Sequence, residues 1–137
     1  MNIKLKVKAR GLWNHEERAL AKSIVQWGIA RLGLWACPAR LVVILRDFPE
    51  YHYGDSLDLD DKFVIRISKQ GDWIKTIFHE LEHVRQFADD ELELESKVAM
   101  WRGTMFKDVD YDSSPWEVMA REVEEQLYDE FIHEISS

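Results

Sequence analysis

Residues 78–87 read FHELEHVRQF, and this stretch places two histidines four positions apart with a glutamate directly after the first. Around it, apolar residues recur at helical spacing, which predicts an amphipathic helix over about residues 73 to 88. At about 100° per residue, His79 and His83 lie within about 40° of each other and roughly 170° from the centre of the apolar stripe. The two histidines therefore belong to the polar face of this helix and not to its core face.

The pair has the spacing of a metal site, because two imidazoles one helical turn apart can bind a single zinc ion through neutral nitrogens. Glu80 projects from the same helix at the edge of the pair. In catalytic zinc sites such a glutamate is not a ligand but a general base that accepts a proton from water. The alternative is that both histidines are simply exposed on a polar face. Because a catalytic zinc ion usually has three protein ligands, the metal interpretation predicts a third ligand elsewhere.

A glutamate from a later helix is the main candidate for that third ligand. Pro115 followed by Glu117 is typical of a helix start. Asp89 has suitable spacing, but the helix would have to break to bring it back, and Gln86 is a helix former. Glu117 also has an alternative role, because Ser114 three residues earlier completes the pattern of a capping box. The other candidate ligands are His52, Asp110, Glu122 and His133.

The chain resembles the gluzincin zinc metallopeptidases over about residues 73–125. The matching residues are His79, Glu80 and His83, then Glu117 and Ala120 in a Glu-x-x-Ala pattern. The similarity is greatest to the minigluzincins, the smallest single-domain members, and to related phage or prokaryotic zincin-like proteins. The resemblance implies Zn²⁺ bound by His79, His83 and Glu117, with the small Ala120 letting the two site helices approach. It also implies a zincin-like α+β domain over residues 1–137, in which the His-Glu-x-x-His helix is followed by a glutamate helix.

Three further residues bear on the site. Many gluzincins carry an aspartate after the alanine as the hydrogen-bond partner of the first histidine, but this chain has Arg121 there. The imidazoles must therefore be oriented by other residues. Tyr111, just before the glutamate helix, is a candidate for stabilising an oxyanion. Arg85 lies near the apolar stripe of its helix, so we expect it to pair with a buried carboxylate.

The remaining sequence predicts an α+β fold with a small mixed or antiparallel sheet packed against helices. Alternation of apolar residues and lysine predicts a first strand near residues 3–7, and a helix follows over about 15–34. Two more strands are predicted near 41–45 and at Lys62–Ser68, with a loop or short strand between them. From Trp73 onward we expect helices only: one to residue 88, one through Leu94, Val98 and Trp101 to Gly103, and one from Pro115.

Composition limits the setting and the partners. With 137 residues and 46% hydrophobic residues, the chain can bury one core. The net charge of −8 disfavours nucleic acid, and Lys4, Lys6 and Lys8 are interpreted as the solvent face of a strand. No apolar run is long enough to cross a membrane, and no export signal is visible. Because Cys37 is the only cysteine, nothing indicates an oxidising compartment, and we expect a cytoplasmic monomer.

These patterns favour a zinc-dependent metallopeptidase that acts on a peptide or protein substrate. The strand Lys62–Ser68 directly precedes the site helix, so we expect it to pair with an extended peptide. Two other hypotheses stay open at this point. One is a zinc-binding but catalytically silent or latent module that recognises a protein, and the other is an acidic helical interaction domain without metal.

Overall fold

A computed structural model describes residues 2–47, 53–95 and 97–136, and these form a mixed α+β architecture of three helices and two sheets, as the sequence predicts in outline. The helices are α1 (His15–Arg31), α2 (Trp73–Ala88) and α3 (Pro115–Ser136). The strands are β1 (Lys4–Ala9), β2 (Arg40–Arg46), β3 (Gly54–Leu59), β4 (Lys62–Ser68), β5 (Leu92–Glu95), β6 (Val98–Trp101) and β7 (Thr104–Lys107). Short 3₁₀ turns occupy Leu34–Ala36 and Tyr111–Ser113.

Helix α1 begins where the sequence predicts and ends three residues earlier. The side chain of Asn14 accepts a hydrogen bond from the backbone N–H of Glu17, and the Glu17 carboxylate accepts one from the backbone N–H of Asn14. This reciprocal capping box fixes the start of the helix. At the other end, Gly33 adopts φ 71°, a left-handed conformation that terminates a helix at little cost for glycine.

The first sheet has the strand order β1-β2-β4-β3. Strands β1, β2 and β4 are parallel, with α1 as the crossover between β1 and β2, whereas β3 runs antiparallel to β4. The predicted pairing of a peptide with β4 is therefore wrong, because β2 and β3 already occupy both edges of that strand. The edge of the sheet beside α2 belongs to β3, which lies in the segment predicted to be a loop or short strand.

Helix α2 lies between the first sheet and α3 and contributes to both apolar clusters of the fold. Its Ile77, Phe78, Leu81 and Val84 join the main core, together with residues of α1, α3 and the helix-facing side of the first sheet. Its Phe87 joins a smaller cluster under the second sheet with Leu92, Ala99 and Trp101. Within the described ranges, no helix is both long enough and apolar enough to cross a membrane.

The prediction of a helix through Leu94, Val98 and Trp101 is wrong, because residues 92–107 form the antiparallel sheet β5-β6-β7. Arg102 and Gly103 have φ values of 49° and 84° and connect Trp101 to its partner Thr104. Positive φ at both central residues matches the twist of a two-residue hairpin turn. Gly103 suits either a helix end or such a turn, so this glycine did not distinguish the two structures.

Candidate metal centre

Two helices build the candidate metal centre, because α3 presents a carboxylate to the histidines of α2. Oε1 of Glu117 lies 2.9 Å from Nε2 of His79, and Oε2 lies 2.7 Å from Nε2 of His83. One donor atom from each of these residues can be chosen so that all three lie within 4.8 Å of one another. The side chains of His83 and Glu117 are only 6% and 4% exposed. The histidines are therefore not solvent-exposed side chains on a polar helix face.

Glu117 does not form the capping box that its spacing from Ser114 suggested. The Ser114 hydroxyl donates a hydrogen bond to the carbonyl of Tyr111 at 2.9 Å instead of accepting one from the helix. Both carboxylate oxygens of Glu117 face imidazole nitrogens. The sequence allowed Glu117 to cap its helix or to bind a metal. Its observed position, facing both histidines, is compatible with a metal ligand and not with a capping box.

The other nitrogen of each imidazole is held by a side chain that sequence reasoning missed. Nδ1 of His79 lies 2.9 Å from Oε1 of Glu124, and Nδ1 of His83 lies 2.9 Å from Oε1 of Gln86. Because the two Nδ1 atoms are engaged, the two Nε2 atoms are the ones turned toward Glu117.

Glu124 takes the place that an aspartate after Ala120 has in many gluzincins. It follows Glu117 by seven residues, almost two full turns, and therefore shares its face of α3. Arg121, by contrast, donates to the backbone carbonyl of Asp112. The hydrogen-bond partner of His79 therefore comes from the turn of α3 that follows Ala120.

The titration behaviour of the metal-free site follows from these contacts. Burial would lower the pKa of His79, but hydrogen bonds to Glu117 and Glu124 outweigh it and raise the pKa to about 10. Burial likewise opposes protonation of His83, whose pKa is nevertheless raised by Glu117 and Glu80. The pKa of Glu117 is held well below its ordinary value by the two histidines, although burial acts in the opposite direction. These contacts couple the titration of the two histidines to that of Glu117.

Glu80 is buried beside the pair and is held by the edge strand. The hydroxyl of Ser56 lies 2.6 Å from Oε1 of Glu80 and 3.0 Å from its carbonyl oxygen. Burial raises the pKa of Glu80, while the charges of His83 and His79 lower it. The net direction is upward, which makes this carboxylate a stronger base than an exposed glutamate.

A glycine permits the close approach of β3 to α2. A Cβ atom on Gly54 would lie 2.8 Å from Cγ2 of Thr76 and 2.9 Å from the carbonyl oxygen of Arg66. Such distances are shorter than van der Waals contact, so any larger residue would push β3 away from the helix. The glycine therefore keeps Ser56 within reach of Glu80.

Two imidazole nitrogens and a carboxylate oxygen are a donor set that can bind a divalent metal ion, and the three donors lie within 4.8 Å of one another. Three carboxylates, those of Glu80, Glu117 and Glu124, surround two imidazoles. A divalent cation would balance this excess of negative charge once the imidazole protons leave.

The other candidate ligands are not brought to this site. Among the described residues, His79, His83 and Glu117 form the only group of three or more with metal-ligand spacing. Asp110, Glu122 and His133 are exposed and belong to no such group. Asp89 pairs with Arg85 at 2.9 Å. His52 lies outside the described residues.

Comparison of the chain with protein-family models, with curated proteins and with solved structures finds no match.

Two cavities meet at the site. The first has a volume of about 650 Å³ and is lined by Tyr53, Asp72, Lys75, Thr76, His79 and Glu124. The second has a volume of about 290 Å³ and is lined by His83, Phe87, Leu92, Leu94, Trp116 and Glu117. Gly54, Glu80 and Tyr111 line both. Both cavities have polar and apolar lining groups, with the apolar ones contributing more of the surface. Together they form a cleft that passes Glu80 along the edge of β3.

Tyr111 stands at the mouth of this cleft, as its sequence position suggested. It lies in the 3₁₀ turn before α3 and is 66% exposed. Burial of its hydroxyl end, followed by the nearby carboxylate of Glu117, raises its pKa, so the phenol stays protonated at neutral pH. The protonated phenol is a hydrogen-bond donor that lies next to the carboxylate of Glu117.

A buried polar network continues from His83 into the protein. The amide of Gln86 donates to Glu82 and to the carbonyl of Trp116, and Glu82 accepts two hydrogen bonds from Arg85. The side chain of Glu82 is 1% exposed, which confirms the prediction that Arg85 pairs with a buried carboxylate. Because Gln86 has two fixed partners, its oxygen is held toward the ring of His83.

Glu117→Gln is expected to weaken zinc binding by more than about 100-fold, since loss of an orienting partner alone costs about 10–100-fold and this change removes the anionic donor itself. Chelator competition measures the effect. Glu122→Gln, an exposed change on the same helix, serves as the control and should bind zinc as the wild type does. Equal zinc affinity of Glu117→Gln and the control would exclude Glu117 as a ligand.

Glu124→Ala is expected to lower zinc affinity by about 10–100-fold, because Nδ1 of His79 loses its acceptor and the ring its orientation. The matched control is Glu125→Ala, one position along, where the carboxylate is exposed and pairs with Lys75 at 3.0 Å. Both changes remove one negative charge from the same turn of α3. Isothermal titration of zinc into the two metal-free variants should separate them, and equal affinities would contradict the orienting role.

Proposed function

We propose that the protein is a zinc-dependent metallopeptidase, with zinc held by His79, His83 and Glu117. The observation that carries this proposal is the joint placement of three donors and a buried carboxylate, Glu80, at the centre of an open cleft. Cavities on both sides of these residues are typical of a binding site and are not expected for a buried polar cluster that only stabilises the fold. The resemblance of the same residues to the gluzincin pattern supports the proposal independently of the geometry.

Zinc bound at this site would act as a Lewis acid on the scissile carbonyl and lower the pKa of water. Glu80 is assigned as the general base that takes the proton of the attacking water and passes it to the leaving amine. Its pKa is raised by burial, which makes this carboxylate a stronger proton acceptor than an exposed glutamate. Ser56 fixes Oε1, so the other carboxylate oxygen is the one we assign to the proton transfer.

The substrate is proposed to be an extended peptide that pairs with β3. The carbonyl of Tyr53 accepts from the N–H of Ser68, and the register places Asp55 opposite Arg66. Because hydrogen-bonded and non-bonded pairs alternate in an antiparallel ladder, the backbone groups of Gly54, Ser56 and Asp58 point away from β4. Gly54 and Ser56 line the cavities, so their outward N–H and C=O groups can bind a peptide backbone.

Tyr111 is assigned as a hydrogen-bond donor to the oxyanion that forms when the peptide carbonyl is attacked. It borders both cavities and so lies where the reacting carbonyl would cross the site. Its role is secondary to that of Glu80, because Tyr111 moves no proton in this scheme.

Metal analysis combined with a peptide digest tests the proposal. The purified protein should contain one zinc per chain and should cleave members of a mixed peptide library, as read by mass spectrometry. Removal of zinc with a chelator should stop the cleavage, and zinc should restore it. Absence of stoichiometric metal would exclude the proposed site, whereas bound zinc without cleavage would indicate a silent zinc-binding module.

A further inference from the structure

The face of the first sheet turned away from the helices is strongly basic. The register places Lys4, Arg40 and Lys62 side by side on β1, β2 and β4. Side chains two residues apart on a strand share a face, so the same face carries seven cations: Lys4, Lys6, Lys8, Arg40, Arg46, Lys62 and Arg66. The chain as a whole has a net charge of −8, so this face has the opposite sign to the rest of the molecule.

The arginines of this face have partners, whereas its four lysines are in contact with no described carboxylate. Arg40 pairs with Asp61 at 2.7 Å, and Arg66 pairs with Asp55. Within residues 2–47, 53–95 and 97–136, no carboxylate is in ion-pair contact with Lys4, Lys6, Lys8 or Lys62. The three lysines of β1 are exposed and stand about 6.6 Å apart along the strand.

An aliphatic patch lies on the same face and extends from β2 to β3, the edge strand opposite β1. It consists of Val42, Ile44, Val64, Leu57 and Leu59, from β2, β4 and β3. Leu57 and Leu59 are 38% and 42% exposed, although apolar side chains of strands are normally turned to a core. The three helices pack on the other face, where Leu41, Val43 and Ile65 are fully buried. The described elements therefore leave Leu57 and Leu59 exposed, whereas Val42 and Ile44 are half-buried and Val64 is buried.

We propose that this outer sheet face, bordered by Lys4, Lys6, Lys8 and Lys62, is a docking surface for an acidic amphipathic segment of a partner protein. Carboxylates of the segment would pair with the lysines, and its aliphatic side chains would cover Leu57 and Leu59. Charge complementarity selects the acidic partner, and the aliphatic patch on the same face selects one that is also apolar.

Three features argue against other occupants. The register places no aromatic side chain on this face in the described strands, whereas proteins that bind single-stranded nucleic acid stack bases on aromatic rings. A net charge of −8 also opposes any long polyanion. Addition of a strand at the free edge of β1 is hindered, because the guanidinium of Arg18 already donates to the outward carbonyl of Val7 at 3.2 Å.

Fluorescence anisotropy with a labelled amphipathic peptide of Glu and Leu tests the proposal on the full chain. We expect binding that weakens with salt and becomes at least about tenfold weaker in the combined variant Lys4→Glu, Lys6→Glu, Lys8→Glu, because three attractive pairs become repulsive. The matched control reverses Lys22, Lys97 and Lys107, three exposed lysines elsewhere, to glutamate. The two variants have the same net charge, so a difference between them reports the position of the charges. Only the variant with the β1 lysines reversed should bind the peptide more weakly.

Several results would overturn the proposal. Equal loss in the two triple variants would show that only overall charge matters. No binding of the peptide, or tighter binding of oligothymidylate or of phosphatidylserine vesicles, would exclude an acidic protein segment. Concentration-dependent self-association that is lost in the β1 variant would identify a second copy as the occupant. A variant with Lys4, Lys6 and Lys8 changed to serine repeats the test without new negative charge, in case the glutamate variant does not fold.

Discussion

A protein carrying Glu80→Gln should keep its zinc and lose peptide hydrolysis by about 10²–10⁴-fold, the usual contribution of a general base. The amide has nearly the same size as the carboxylate and can still accept the hydrogen bond from Ser56, so the packing of β3 against α2 should persist. What the amide cannot do is accept a proton from water. The measurement compares turnover of a cleaved library peptide with zinc content determined on the same preparation.

The control for this variant is Glu93→Gln, an exposed change on β5 outside the cleft lining. It removes the same charge and should leave turnover unchanged. Near-normal turnover of Glu80→Gln would remove Glu80 from the mechanism. A variant that loses both zinc and turnover would instead show that Glu80 stabilises the metal site, and its role as base would then need a separate test.

His83→Ala should abolish stoichiometric zinc binding, with an affinity loss of more than about 100-fold, because it removes one of three donors and not merely an orienting contact. His79→Ala should behave in the same way. Neither side chain belongs to the apolar clusters that hold α2 against the sheet, so circular dichroism should show the helices intact. Metal analysis after dialysis against a weak chelator measures the result.

The matched control is His133→Ala. This histidine lies on the exposed last turns of α3 and was itself a candidate ligand from the sequence. It should retain one zinc per chain. Zinc loss from His133→Ala, or unchanged zinc in His83→Ala, would contradict the assignment of the metal centre.

Local periodicity was sufficient to predict α2 and the direction of its histidines. The apolar stripe and the four-residue spacing of His79 and His83 depend only on the geometry of one helix, so neighbours in sequence contain the needed information. The capping residues of α1 are local in the same sense. The Glu117 helix start was predictable as well, but not the role of its carboxylate, since capping and ligation require the same residue at the same spacing.

Residues 92–107 show where local patterns fail. Leu94, Val98 and Trp101 fit a helical stripe loosely, and Gly103 fits its end, yet the chain forms three short strands. The hairpin around Arg102 and Gly103 is favoured because it lets Ala99 and Trp101 pack with Phe87 of α2. That contact joins segments distant in sequence, so no window of neighbouring residues reveals it.

By itself, the sequence determined the residue types of a candidate metal site, the helix that carries two of them and the mixed α+β class. Only the tertiary structure decided that Glu117 turns to the histidines and that β3 rather than β4 offers a free edge. It also decided the contacts that hold the other site residues: His79 with Glu124, His83 with Gln86, and Glu80 with Ser56. It also decided that the lysines of β1 share a face with cations of β2 and β4. The reason is physical: the spacing of side chains along one element is set by its own backbone, whereas contacts between elements are set by how their apolar faces pack.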